Sequence, residues 1–283
     1  MILKYEKSVA FWYAFNYNIF VKERVYQVCL QERWKIMDRV LNLQMSLFGS
    51  FINVRLETEI VIKLLTVLKD DGFIPGSADI ASVDLKTGKM IVDSRMQILS
   101  PDKTWTIVFL PDRIDFNYNY QEGTTIYKNI TNLQVYANEL VKKVFSVFGS
   151  TMGNRLALNC KFMFEGMTTD DLKQFCARFT KPLSAYGDDP YVEWGVRFNA
   201  RGNFRVADNE TEECNRITEM AQIENLGNLE SKDMGSHSII LSIDVNTLPL
   251  NLTQRFKYEN LICFANDVTE FVTNVTKEIE SDC

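Results

Sequence analysis

The sequence predicts an α+β fold: two topologically similar halves, each a mainly antiparallel sheet covered by helices and closed by a long amphipathic helix. Three observations carry that expectation. Several segments alternate apolar and polar residues with a period of two, as in Ile114, Phe116, Tyr118 and Tyr120 against Asp115, Asn117 and Asn119. A strand with that period has one buried and one wet face, which suits an antiparallel sheet covered on one side. Two long segments instead repeat at three and four residues: Leu133, Tyr136, Leu140, Val141, Val144 and Phe148, then Leu261, Phe264, Ala265, Val268, Val272, Val275 and Ile279. Such spacing puts an apolar stripe on one side of a helix, which needs a sheet to cover. Finally, the order strand, helix, several strands, helix occurs in 1–150 and again in 151–283.

The elements follow in order. Val9–Phe20 alternates on Phe11, Tyr13, Phe15, Tyr17 and Ile19 and reads as a buried strand; Asn16, Asn18 and the lack of a small-residue cleavage site argue against a signal peptide. Val21–Leu47 reads as one or two helices, because Val25, Val28, Trp34, Met37, Val40, Leu41 and Met45 recur mostly at three to five residues. Glu57–Lys69 is a helix ended by Asp70-Asp71-Gly72 and the breaker pair Pro75-Gly76. Met90–Ile98, Thr104–Leu110 and Arg113–Tyr120 form a meander, with Pro101 placed where its fixed φ suits a tight turn.

In the second half Arg155–Phe164 is a strand, followed by a helix capped by Thr168 or Thr169 and favoured by Asp170 and Asp171 at its positive end. Tyr191–Asn199 is a strand with Val192, Trp194, Val196 and Phe198 on one face. Ala200-Arg201-Gly202-Asn203 resembles a hairpin turn, and Ser238–Asn246 is a further strand. Residues 207–236 read as an acidic mobile segment within which Glu213–Ile223 has weak strand or helix anchors. Across 201–236 eight acidic residues face four basic ones.

Composition excludes several classes. Hydrophobic residues make up 46% and charged residues 24%, which are ordinary globular values and rule against a disordered chain. A net charge of −6 disfavours a general nucleic-acid surface, which needs a basic stripe. No apolar run reaches the ~20 residues that span a bilayer, so no membrane partner is expected and a cytoplasmic location is. The six cysteines, Cys29, Cys160, Cys176, Cys214, Cys263 and Cys283, lack metal-ligand or redox spacing and read as free thiols.

Catalytic devices are equally scarce. His237 is the single histidine, with no GxSxG elbow, HExxH helix or phosphate loop beside it, so it reads as an ordinary strand-end residue. Asp70-Asp71 and Asp170-Asp171 are accounted for by helix ends. Asp188-Asp189, in a loop with Tyr186, is the acidic pair best placed to contact a ligand. Arg113 and Arg155 each open a strand, where a guanidinium can anchor a carboxylate or phosphate, although local acids such as Asp112 and Asp115 favour a structural role for Arg113.

The block Arg95–Asn119, the helix to Phe148 and the following GNRLALN together resemble a sporadically distributed, uncharacterised family of bacterial proteins of similar length. Asp112-Arg113 and Asn117-Tyr118 occupy the family's Asp-Arg turn and Asn-aromatic strand end. Tyrosine stands where that family has tryptophan, and its proline-rich opening is missing. The resemblance implies the fold plan and no catalytic residues.

The expected function is therefore a non-enzymatic cytosolic protein that recognises another macromolecule, with another protein as the expected partner, as an accessory, immunity or defence-associated bacterial component, with no cofactor and no metal. The alternative is a small-ligand-binding protein or a histidine-independent enzyme, using Arg113, Arg155, Tyr186 and Asp188 between the two halves.

Overall fold

A computed structural model describes residues 37–51, 58–83, 88, 90–149, 151–181, 193–223 and 237–281, which build one open, nine-stranded antiparallel sheet and four α-helices. The strands are β1 (Met37–Phe48), β2 (Ile74–Val83), β3 (Met90–Leu99), β4 (Trp105–Phe109), β5 (Arg113–Asn119), β6 (Arg155–Met167), β7 (Gly195–Ala207), β8 (Glu210–Ile223) and β9 (His237–Thr247). The helices are α1 (Thr58–Val67), α2 (Ile130–Phe148), α3 (Thr169–Phe179) and α4 (Tyr258–Ser281). Across the sheet the order is β2-β3-β4-β5-β1-β6-β9-β8-β7. The α+β class with an antiparallel sheet is the one expected. The strand expected at Val9–Phe20 lies outside the described residues.

The largest departure is β1. The three- to five-residue spacing that reads as helix within Val21–Leu47 ends in the central strand of the sheet. Its ladder with β6 shifts register between Val40 and Asn42, as a bulge does. The shift puts Val40 and Leu43 on the same buried face three residues apart, a spacing that imitates a helix. Beyond it the period is two: Leu43, Met45 and Leu47 are fully buried, while Asn42, Gln44 and Phe48 are half-buried on the other face.

β1 lies between β5 and β6, with Phe48 opposite Arg113 on one side and Arg155 on the other. The sheet is thus continuous across the position where the two halves meet in sequence. β5, the strand preceding α2, pairs with β1; β9, the strand preceding α4, pairs with β6.

The apolar face is one core. Phe116 of β5 meets Phe145 of α2 at 6.3 Å between ring centroids, and Phe204 of β7 meets Phe264 and Phe271 of α4 at 6.2 and 5.7 Å. The two long helices touch through Phe145 stacked on Tyr258, with 10° between the rings. Beside that contact Asn138 donates to Asn266 Oδ1 at 3.1 Å, giving buried amides a partner. Both apolar stripes read from the sequence face this core, from Leu133 to Val144 and from Leu261 to Ile279. Thr168 caps α3 with a full capping box, its hydroxyl accepting from Asp171 N while the Asp171 carboxylate accepts from Thr168 N.

Four further expectations are corrected. Ile74–Val83, where Pro75-Gly76 reads as a break, is the edge strand β2, and an edge tolerates a proline that has no N–H to give. Ala200–Asn203 is no turn: β7 runs straight through it and the hairpin bends at Asp208-Asn209. A Cβ at Gly202 would lie 2.7 Å from the guanidinium carbon of Arg216 on the neighbouring strand, the far end of a flexible side chain that can give way. Of the acidic segment, 210–223 forms β8, laddered on both sides and hence no mobile loop; 224–236 lies outside the described residues. Trp194 is buried, but against Phe175 of α3 at 5.9 Å, and Phe198 is half exposed on the edge strand.

Phe116→Ala is expected to lower unfolding free energy by about 3–5 kcal/mol, because the ring is fully buried between sheet and α2. Urea denaturation measures it, and a loss below about 1 kcal/mol contradicts the assigned face. Thr168→Ala removes one side of the capping box and is expected to cost about 1 kcal/mol in the same assay.

Candidate functional site

The pleat that sends leucines into the core sends a polar row to the other face. Cross-strand register aligns Arg113, Phe48 and Arg155 side by side on β5, β1 and β6. Both guanidinium groups lie over the Phe48 ring, with their central carbons 5.6 Å (Arg113) and 4.7 Å (Arg155) from its centroid. That is cation–π range, and one ring serves two cations. The next row holds Asp115, Ser46, Ala157, Asn246 and Asn215, and the row after it Asn117, Gln44, Asn159 and Asp244. Together Phe48, the two arginines, Ser46, Asn159 and Asp244 line most of a hollow of about 170 Å³.

Two straps hold the arginines in place. Gly49 N donates to Asp112 O at 2.9 Å and Phe51 N to Pro111 O at 2.8 Å, tying the turn before Arg113 to the end of β1. On the other side Asn154 N donates to Phe48 O at 2.8 Å, and Gly153 N donates to Phe256 O at 2.6 Å. Gly153 permits this approach, since a Cβ would stand 2.4 Å from Phe48 O. Arg255 Nη1 donates to Asn154 O at 2.7 Å while its Nε holds Glu212 at 2.8 Å, so the entry to β6 is fixed from both flanks.

The arginines differ in their partners. Arg113 Nε donates to Asp115 Oδ2 at 2.9 Å, and Asp112 lies 3.6 Å from its Nη1. Asp115 is buried, and its other oxygen accepts from Ser46 Oγ at 2.6 Å. Arg113 is therefore already satisfied in charge. Arg155 has no carboxylate partner among the described residues: its Nη2 donates to Asn246 Oδ1 at 3.0 Å, and its buried Nε has no partner there. Asn246 is oriented by giving its own amide to Asp244 at 3.0 Å.

Of the residues singled out from sequence, Arg113 and Arg155 come together, whereas Tyr186 and Asp188 lie outside the described residues. Phe48, Ser46, Asn246 and Asp244 were missed, whereas Asp115 was already named as a local acid beside Arg113. The alternation Asn42, Gln44, Ser46 against Leu43, Met45, Leu47 was the signal that could have found the first two. His237 starts β9, its Nε2 lying 3.3 Å from the Thr169 hydroxyl at the start of α3. Among the described residues no three His, Cys, Asp or Glu side chains gather to hold a metal ion. Burial pushes the Cys214 thiol up to about 12 and drives Cys160 upward too, so neither forms an appreciable thiolate near neutral pH. No described helix is long and apolar enough to cross a membrane.

No protein-family model matches this chain, and no curated protein matches it.

Asp115→Ala is expected to destabilise the protein by about 2 kcal/mol, since it strands the Ser46 hydroxyl and leaves Arg113 one carboxylate short. The figure is below that for a fully buried pair because the Arg113 side chain is 33% exposed. Thermal melts alongside urea titration check it.

Proposed function

We propose that this chain is a non-enzymatic binding protein that recognises another protein across the polar face of its sheet, with Arg155 as the anchor. The observation that carries the reading is a guanidinium held over Phe48, fixed by Asn246, with no carboxylate of its own among the described residues. Arginine in such a setting takes a carboxylate through two parallel hydrogen bonds. The size of the hollow favours a protein partner: about 170 Å³ takes one side chain, well below the ~300–1,000 Å³ of small-molecule pockets. Amides from Asn42, Gln44, Asn117 and Asn159 around it suit hydrogen bonding to a partner backbone. A cytoplasmic location fits the free thiols Cys160, Cys176, Cys214 and Cys263.

The same reading treats 1–150 and 151–283 as two matched halves. In each, a first strand leads to a helix, then to strands that run from the sheet edge inward, and the last of them pairs with the first. β1 and β6, the two first strands, pair antiparallel at the centre of the sheet, and the arginine row lies at the end of their ladder.

The test is affinity capture from the native cell with the wild-type chain and Arg155→Gln, followed by titration of the captured protein. Binding at least about tenfold weaker in the variant, with an unchanged melting temperature, is expected; equal binding overturns the reading. A small dicarboxylate ligand is the second reading, favoured by an Arg155 Nε that has no partner among the described residues. Millimolar succinate raising the melting temperature of wild type and not of Arg155→Gln selects it.

A further inference from the structure

A second concavity, on the helix-covered side of the sheet, has the opposite chemistry. It is a cavity of about 430 Å³ beside the turn between β3 and β4, within the range of small-molecule pockets. Trp105, Tyr118, Tyr127 and Tyr136 wall it. Their rings meet at steep angles: 67° between Trp105 and Tyr136, 55° between Trp105 and Tyr118, and 87° between Tyr118 and Tyr127, with centroids 5.1–5.6 Å apart. These are the tilted and edge-to-face contacts of a packed aromatic cluster, which forms one wall of the cavity.

Its charges are all of one sign. Asp71 and Asp102 line it, and among the described residues no lysine or arginine does. Asp71 is already engaged, accepting from Lys143 Nζ at 2.6 Å and Tyr136 Oη at 3.3 Å. Asp102 has no ion pair among the described residues. Its Oδ1 accepts from Ser100 Oγ at 2.6 Å, Thr104 N at 3.1 Å and Thr104 Oγ1 at 2.9 Å. Burial alone would raise its carboxyl, but these three hydrogen bonds outweigh it and hold the group below the ordinary aspartate value, so it stays ionised. Tyr118 supplies an independent sign of a ligand: it is 1% exposed, and its buried hydroxyl has no partner among the described residues. Buried tyrosine hydroxyls ordinarily find one.

We propose that this cavity binds a small N-methylated ammonium cation carrying a hydroxyl, with the aromatic wall beside the cation, Asp102 as counter-charge and the Tyr118 hydroxyl bonding the ligand's polar end. The ring quadrupole attracts a cation over its face, and N-methyl groups shed water more readily than a bare ammonium does. A carboxylate or phosphate ligand is disfavoured by the two aspartates. The site is independent of the arginine row, which lies on the opposite face, so either can fail alone.

Calorimetric titration of the full chain with choline, and with its neutral carbon isostere 3,3-dimethylbutan-1-ol, tests the proposal. Choline is expected to bind saturably and the isostere at least about tenfold more weakly, because shape and apolar area are shared and only the charge differs. Asp102→Asn keeps the oxygen that accepts from Ser100 and Thr104, and is expected to weaken choline about fivefold or more without moving the melting temperature. Equal binding of the two compounds, no choline binding up to about 10 mM, or undiminished binding by a folded Asp102→Asn each overturns it. The wild-type comparison decides the matter even where the variant fails to fold.

Discussion

The antiparallel pairing of β1 with β6 is the contact on which the rest of the molecule depends. It joins segments more than a hundred residues apart and sets, for every other strand, which side faces the helices. Leu43 stands opposite Cys160, Met45 opposite Leu158 and Leu47 opposite Leu156, all six fully buried. Between them Gln44 faces Asn159, Ser46 faces Ala157 and Phe48 faces Arg155 on the polar side. A slip of one residue would exchange the two sets, placing amides under α2 and α4. Several fully buried apolar side chains, each worth about 1.5–3 kcal/mol, oppose such a slip.

The polar face then inherits its order from the core face. Arg113 and Arg155 flank Phe48 because Ile114, Leu156 and Leu47, one residue away, are locked in the core, and the backbone straps at Gly49, Phe51 and Asn154 pin the strand ends. Neither guanidinium depends on a long flexible reach. Preorganisation of this kind is what lets an exposed arginine contribute to binding, since little side-chain entropy remains to be lost.

The two concavities divide the molecule's recognition chemistry by sign. One presents a cation beside an aromatic ring and amides on the polar face; the other presents aromatic rings and an ionised carboxylate at the β3–β4 turn. The overall charge of −6 conceals both, because it only nets 37 acidic against 31 basic residues over the whole chain. Long-range attraction therefore says little about either site. Their selectivity resides in contacts at hydrogen-bond distance, where ionic screening is weaker than at the open surface.

Sequence alone determined the elements whose pattern is local: the meander β3–β5, the strand β6, the capped start of α3, and the stripes of α2 and α4. Each is set by a period or a cap that neighbouring residues carry together. It also singled out Arg113 and Arg155, since an arginine opening a strand is visible without coordinates. Tertiary structure decided the remainder. The bulge in β1 made a strand resemble a helix, and the edge position made Pro75 acceptable in β2. Phe48 and Asn246 became site residues only through register, and the ring cavity brings Tyr136 of α2 to Trp105 and Tyr118 of the sheet. Those relations join residues distant in sequence, and no local pattern encodes which strand lies beside which.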